Sequence, residues 1–193
     1  MKRITVFCGS RIGASEIYKE GAQLLGKELA KRKITLVYGG GSIGLMGIVA
    51  DTVLKEGGKV VGVIPKMLQE REISNLDLTE LHIVDSMHTR KAMMADLADG
   101  FIAMPGGAGT LEEFAEIFTL SQLGVHDKPI GLLNINKFFD PLIQFYDHML
   151  NEKFLEEKHR HLAIVDDEPS NLIDRLHTFE KPEVKTYVNE EQI

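Results

Sequence analysis

The 193-residue chain is 44% hydrophobic and 26% charged, which describes one ordinary globular domain with length enough to bury a core. Its formal net charge of −7 excludes a protein that grips nucleic acid by neutralising phosphates, since that needs a basic face, but leaves room for a small phosphorylated ligand. The single cysteine, Cys8, excludes an internal disulfide and fits a reducing compartment.

Taken in order, Met1-Lys2-Arg3 runs straight into a strand pattern, Ile4-Thr5-Val6-Phe7-Cys8, without the apolar region of a signal peptide. No later run approaches the ~20 apolar residues of a membrane span, so the expectation is a soluble, cytoplasmic protein. A helical pattern follows over residues 15–32, with Ile17, Ala22, Leu25 and Leu29 as core positions. Residues 34–38 form a second strand, then Gly39-Gly40-Gly41-Ser42-Ile43-Gly44 leads into a helix that Gly57-Gly58 closes. A third strand, residues 59–64, stops at Pro65, and residues 66–80 read as an irregular, charged loop long enough to have a function.

Leu81-His82-Ile83-Val84 is a fourth strand, and Asp85-Ser86 offers capping chemistry for a helix over 87–98. Phe101-Ile102-Ala103-Met104 is a fifth. Residues 129–134 give a sixth, followed by a helix over 138–150. Residues 163–165 give a short seventh, and the last helix begins at Glu168-Pro169-Ser170. The domain is expected to span residues 1–180, with 181–193 a polar tail, frayed or docked on a partner. Strands alternate with helices, and most strands are continuously apolar. That pattern predicts a parallel sheet covered on both faces, a Rossmann-like, doubly wound α/β fold in a single domain. Ligands in such sheets bind at the carboxyl ends of the strands.

The stretch around which the chemistry gathers is Pro105-Gly106-Gly107-Ala108-Gly109-Thr110-Leu111-Glu112-Glu113. It hands the fifth strand to a helix whose residues Leu111, Phe114, Ala115 and Phe118 share one face. Three glycines let backbone N–H groups approach a ligand closely, and a helix N-terminus favours an anion. The stretch reads as a phosphate cradle with Thr110 as hydroxyl donor. Glu113 lies about 200° around the helix from Leu111; it is better placed to act on what the phosphate carries than to bind the phosphate.

Gly39 to Gly44 matches the dinucleotide fingerprint literally, but the carboxylate expected ~20 positions on is missing from Val63-Ile64-Pro65-Lys66. A dehydrogenase is disfavoured, and the run reads as a tight turn in another pocket's wall. No P-loop is present. His88, His126, His148, His159, His161 and His177 show no metal-ligand spacing; they read as surface or capping residues, and neither metal nor cofactor is expected. Arg90-Lys91 puts two cations in the first turn of a helix, where the dipole disfavours them. Beside an anion site they make sense as substrate or carboxylate contacts.

Met87-His88-Thr89-Arg90-Lys91 together with Pro105 to Glu113 resembles the LONELY GUY (LOG) family, cytokinin riboside 5′-monophosphate phosphoribohydrolases often labelled lysine decarboxylases. The resemblance runs from Phe7-Cys8-Gly9-Ser10 to about Leu176, through Arg71-Glu72-Ile73 and Gln122-Leu123-Gly124-Val125-His126-Asp127-Lys128-Pro129. It implies that Arg90 and Glu113 are the catalytic pair. It implies that Gly107, Ala108, Gly109 and Thr110 hold the phosphate, and that Glu72, Lys91 and Thr119 touch the nucleotide. Plant members carry tyrosine at the position of Ala108, which leaves the backbone cradle intact and bears on base preference. The implied reaction cleaves the N-glycosidic bond of a nucleoside 5′-monophosphate, with Glu113 acting on ribose and water, and Arg90 orienting Glu113 and keeping it ionised.

Ile117 and Leu120, on the Glu113 side of the helix, form a second apolar stripe. Core packing explains it, or a homodimer contact beside the site, which the resemblance supports. The rival reading is a nucleotide or molybdenum-cofactor carrier on the same fold, which would need the cradle but no catalytic carboxylate. No pyridoxal-lysine motif supports a decarboxylase.

Overall fold

A computed structural model of the chain describes residues 1–69 and 78–182. Seven strands, β1 (Arg3–Phe7), β2 (Thr35–Tyr38), β3 (Val60–Pro65), β4 (Glu80–Val84), β5 (Gly100–Ala103), β6 (Ile130–Leu133) and β7 (Ala163–Asp166), form one sheet in the order β4-β3-β2-β1-β5-β6-β7. Every pairing is parallel. The central strands are buried end to end because helices cover both faces, as their continuous apolar runs require.

On one face α1 (Glu16–Lys31), α2 (Gly44–Lys55) and α8 (Pro169–His177) pack a cluster that includes Ile4, Leu25, Leu36, Val49 and Leu172. On the other, α4 (Met87–Leu97), α5 (Ala108–Gln122) and α6 (Asp140–Asn151) cover Phe7, Val63, Phe101 and Leu132. Two one-turn helices, α3 (Lys66–Gln69) and α7 (Glu157–Arg160), complete the elements. The sequence reading treats the first as loop and does not anticipate the second.

The chain moves outward from β1 to β4, then α4 carries it back to β5 beside β1, and it continues outward to β7. The loops after β1 and β5 therefore part in opposite directions and leave a crevice between them. They are stitched at its base: the Gly9 N–H donates to the Pro105 carbonyl (3.1 Å) and the Met104 N–H to the Phe7 carbonyl (2.8 Å). Helix α4 is pinned from both sides. The buried Thr5 hydroxyl donates to the Met94 carbonyl (2.8 Å), and the Lys128 ammonium caps the helix end at the Ala95 carbonyl (2.7 Å).

The structure changes some expectations and decides one open choice. Ile17, in the first turn of α1, is exposed at 40%. Of the two readings of the second apolar stripe on α5, core packing holds: Ile117 is buried in the chain's own core and Leu120 packs against that core, so the stripe carries no argument for a dimer. His159 is buried, not on the surface. Lys181 donates to the His126 carbonyl and to the Asp127 carboxylate, each at 2.7 Å; this holds the chain to its own domain there, and residues 183–193 lie outside those described.

Candidate active site

Strand β5 delivers Pro105, Gly106 and Gly107 to the N-terminus of α5, where Gly107 is the cap residue and supplies no side-chain hydrogen bond. The first helical bond runs from the Leu111 N–H to the Gly107 carbonyl (3.2 Å). The N–H groups of Ala108, Gly109 and Thr110 thus lack carbonyl partners in the helix, and the positive end of its dipole lies with them. The glycines divide the work. A Cβ on Gly106 would stand 2.2 Å from the Thr110 hydroxyl oxygen and 2.8 Å from the Gly9 nitrogen, whereas one on Gly107 or Gly109 would meet nothing within 4 Å. Gly106 packs the two loops together; the other two face open space.

Two clefts flank this loop and share Gly106, Gly107 and Phe138. One, about 410 Å³, lies over the crevice between β1 and β5 and is lined also by Ser10, Arg11, Tyr18 and Leu45. The other, about 510 Å³, is apolar, with Leu111, Phe139, Leu142 and Phe145. Phe138, exposed at 40%, follows two non-glycine residues with positive φ, Asn136 (52°) and Lys137 (58°). It meets Tyr18 edge-on at 5.9 Å.

Ser86 caps α4 by accepting from the Thr89 N–H (3.1 Å), so Arg90 falls in the first turn and points under the helix at the carboxyl edge of the sheet. The residue is 6% exposed. Nε donates to the Val63 carbonyl (3.1 Å) and Nη2 to the Gly39 carbonyl (2.9 Å). A Cβ on Gly39 would lie 1.8 Å from that Nη2, so the glycine run that mimics a dinucleotide fingerprint exists in part to give Arg90 room. Gly40 and Gly44, with φ of 77° and 62°, take the left-handed turns that only glycine makes cheaply.

Glu113 is partly buried on the side of α5 that faces α4. Burial pushes its carboxyl up to about 7; the Arg90 charge pulls the other way and does not win, and Glu112 and Glu116 add to the rise. Arg90 and Glu113 are electrostatically coupled without a hydrogen bond or ion pair among the described residues. Arg90 acts in the expected direction, lowering the carboxyl, but burial outweighs it. Cys8, at the carboxyl end of β1, is buried, and burial with the nearby Glu113 charge pushes its thiol far up, which leaves it inert as a nucleophile.

The cradle residues and the Arg90–Glu113 pair come together at one sheet edge; the other candidates do not join them so simply. Lys91 donates to Glu112 (2.5 Å) and Glu116 (2.9 Å), and the Glu112 hydrogen bond holds its ammonium above the usual range. It braces α4 against α5. Thr119 lies about 16 Å along α5 from Ala108 at 1.5 Å per residue, and its hydroxyl donates to the Ala115 carbonyl (2.8 Å). Glu72 lies outside the described residues. Sequence reasoning missed Gly39 as the seat of Arg90, and Arg11 and Phe138 as cleft residues. Only the glycine run carried a readable signal. Among the described residues no three His, Cys, Asp or Glu side chains gather as a metal site, and no helix is long and apolar enough to cross a membrane.

A family model described as possible lysine decarboxylase matches residues 46–176. The chain is 49% identical over 178 residues to the probable cytokinin riboside 5′-monophosphate phosphoribohydrolase LOGL2 of Oryza sativa subsp. japonica, covering 92% of this chain and 73% of that one. It is 48% identical over 178 residues to the cytokinin riboside 5′-monophosphate phosphoribohydrolase LOG1 of Arabidopsis thaliana, covering 92% and 84%. Among solved structures, the molybdenum cofactor carrier protein of Chlamydomonas reinhardtii superposes with a TM-score of 0.69 at 19% identity, over 92% of this chain and 99% of that one, a likeness of fold alone.

Two stability predictions follow from this geometry. Gly39→Ala must displace the buried guanidinium and is expected to cost about 1–3 kcal/mol, read by urea denaturation; Gly107→Ala, facing open space, is expected to cost less than about 1 kcal/mol. Equal losses would contradict the assigned roles. For Glu113, a folded-state pKa of about 7 against 4.5 means that the native state holds the proton more tightly than the unfolded chain. Stability attributable to this side chain is then full below pH 4.5 and falls as pH rises to about 7. At about 1.36 kcal/mol per pKa unit, Glu113→Gln is expected to gain up to about 3 kcal/mol over wild type at pH 8 and nothing at pH 4. A gain independent of pH would refute it.

Proposed function

The chain belongs to the LONELY GUY (LOG) family, and from that membership we propose that it hydrolyses the N-glycosidic bond of adenosine 5′-monophosphates, plain or N6-substituted, releasing the free base and ribose 5-phosphate. The observation that carries the reading is an uncapped helix N-terminus, open at Gly107 and Gly109, between one and two turns before a carboxyl that burial tunes to about 7.

In this proposal the N–H groups of Gly107, Ala108 and Gly109, with the Thr110 hydroxyl, hold the 5′-phosphate. That binding energy, remote from the bond that breaks, positions the sugar. As the C1′–N bond lengthens, the electron pair leaves with the base and positive charge develops on the ribose; the base takes up a proton from solvent, and Glu113 later returns to solvent the one it accepts, so that one water is consumed in all. The Glu113 carboxylate faces that charge and accepts a proton from the water that attacks C1′. A pKa near 7 suits it: strong enough as a base to take the proton, yet half ionised at neutral pH. Arg90, fixed by two carbonyls, supplies a cation that the carboxylate feels without being bound by it. Lys91 acts by bracing α4 against α5, and Glu72 and Thr119 are assigned to the nucleotide by resemblance alone.

A homodimer belongs to the same proposal. Its support is exposed apolar surface beside the loop, at Leu111, Phe138 and Phe145. A cytoplasmic setting is supported by the lone buried thiol. The carrier reading has less support, since the resemblance to a molybdenum cofactor carrier is 19% identical against 48–49% for relatives named as hydrolases.

The test is base release followed by chromatography from AMP and from isopentenyladenosine monophosphate, with the unphosphorylated nucleosides as controls. Release from the monophosphates is expected, with kcat/KM rising as pH passes through about 7 because the ionised carboxylate is the active form. Glu113→Ala is expected to lower turnover at least about 100-fold. Near-full turnover in that variant would remove Glu113 from the mechanism, and tight nucleotide binding without release would favour a carrier.

A further inference from the structure

We propose that Arg11 is a phosphate-binding residue, reaching from the loop after β1 to neutralise the 5′-phosphate held at the start of α5; this deepens the phosphoribohydrolase reading and rests on it. The cradle offers neutral N–H groups and a helix dipole worth only about half an elementary charge. A phosphate dianion on a chain of net charge −7 needs a full cation as well.

The two cations at the start of α4 are already committed. Two backbone carbonyls hold the Arg90 guanidinium, and Lys91 sits between two carboxylates. Arg11 is exposed, has no hydrogen bond or ion pair among the described residues, and is the one cation lining the cleft that contains Gly106 and Gly107. Its guanidinium is a planar fork that suits two phosphate oxygens.

The backbone that carries it is seated, not loose. The Gly9 carbonyl accepts from the Leu45 N–H at the start of α2 (3.0 Å), and the Gly9 N–H donates to the Pro105 carbonyl (3.1 Å). A Cβ on Gly44 would stand 2.2 Å from the Ser10 carbonyl carbon and 2.5 Å from the Arg11 nitrogen. The last glycine of the fingerprint-like run thus lets the Arg11 loop rest on α2, beside the crevice and level with the cradle. This gives that glycine a purpose no dinucleotide supplies.

The test uses the full chain, wild type beside Arg11→Ala and Arg11→Lys, with two readouts: kcat/KM for AMP and for adenosine, and calorimetric affinity for ribose 5-phosphate. Arg11→Ala is expected to weaken ribose 5-phosphate binding about tenfold to a hundredfold and to contract the preference for AMP over adenosine by a similar factor. Arg11→Lys, which keeps the charge and loses the fork, should recover part of each. If wild type releases base from AMP and Arg11→Ala matches it in both readouts, this inference fails and the hydrolase reading stands. If wild type releases no base yet loses ribose 5-phosphate affinity on Arg11→Ala, the hydrolase reading fails and the phosphate contact stands. A wild type that neither turns over nor binds ribose 5-phosphate overturns both.

Discussion

A guanidinium buried among backbone carbonyls is the feature on which this site depends. Taking a cation out of water without a hydrogen-bonded carboxylate is costly, and the fold meets that cost with the carbonyls of Gly39 and Val63 at the ends of β2 and β3. Only a residue without a Cβ at position 39 leaves space for it. Held there, Arg90 does not bond Glu113, so the carboxyl on α5 keeps the character that burial gives it, moderated by a charge it does not touch. The arrangement raises the basicity of Glu113, which is the group the proposed mechanism uses to accept a proton.

The glycines show how one residue type serves different ends along the same sheet edge. Gly106 lets two loops pack, Gly39 admits an arginine, and Gly44 seats the loop after β1, while Gly107 and Gly109 keep the helix N-terminus open. Two of these tasks concern a ligand's space and three concern the chain's own packing. The clefts beside them follow from topology, because the loops after β1 and β5 diverge at the point where the sheet's order reverses. Lys91, clamped by Glu112 and Glu116, joins the helices that carry Arg90 and Glu113, so their relative placement does not depend on substrate.

The seven strands were legible because a parallel sheet buried on both faces demands continuous apolar runs, and runs such as Val60 to Ile64 have little other use. The cradle was legible for a similar reason: a strand, glycines and an amphipathic helix in succession admit few structures. What escaped was everything set by distance across the chain. The Ile117 and Leu120 stripe stayed open between core packing and an interface, because sequence shows that a helix is apolar on two sides but not that the chain's own core takes in both residues. Gly39 to Gly44 looked like a cofactor motif because the same turn geometry serves a nucleotide or an arginine. The sign of the Glu113 shift also had to await the structure, since burial and Arg90 oppose each other and only their balance decides it.

Carbon-detected NMR titration of the Glu113 carboxyl, assigned by comparison with Glu113→Gln, reads that balance in solution. The predicted result is a midpoint near 7 that moves higher when Arg90→Gln removes the opposing charge. A midpoint near 4.5, or one indifferent to Arg90, would contradict it.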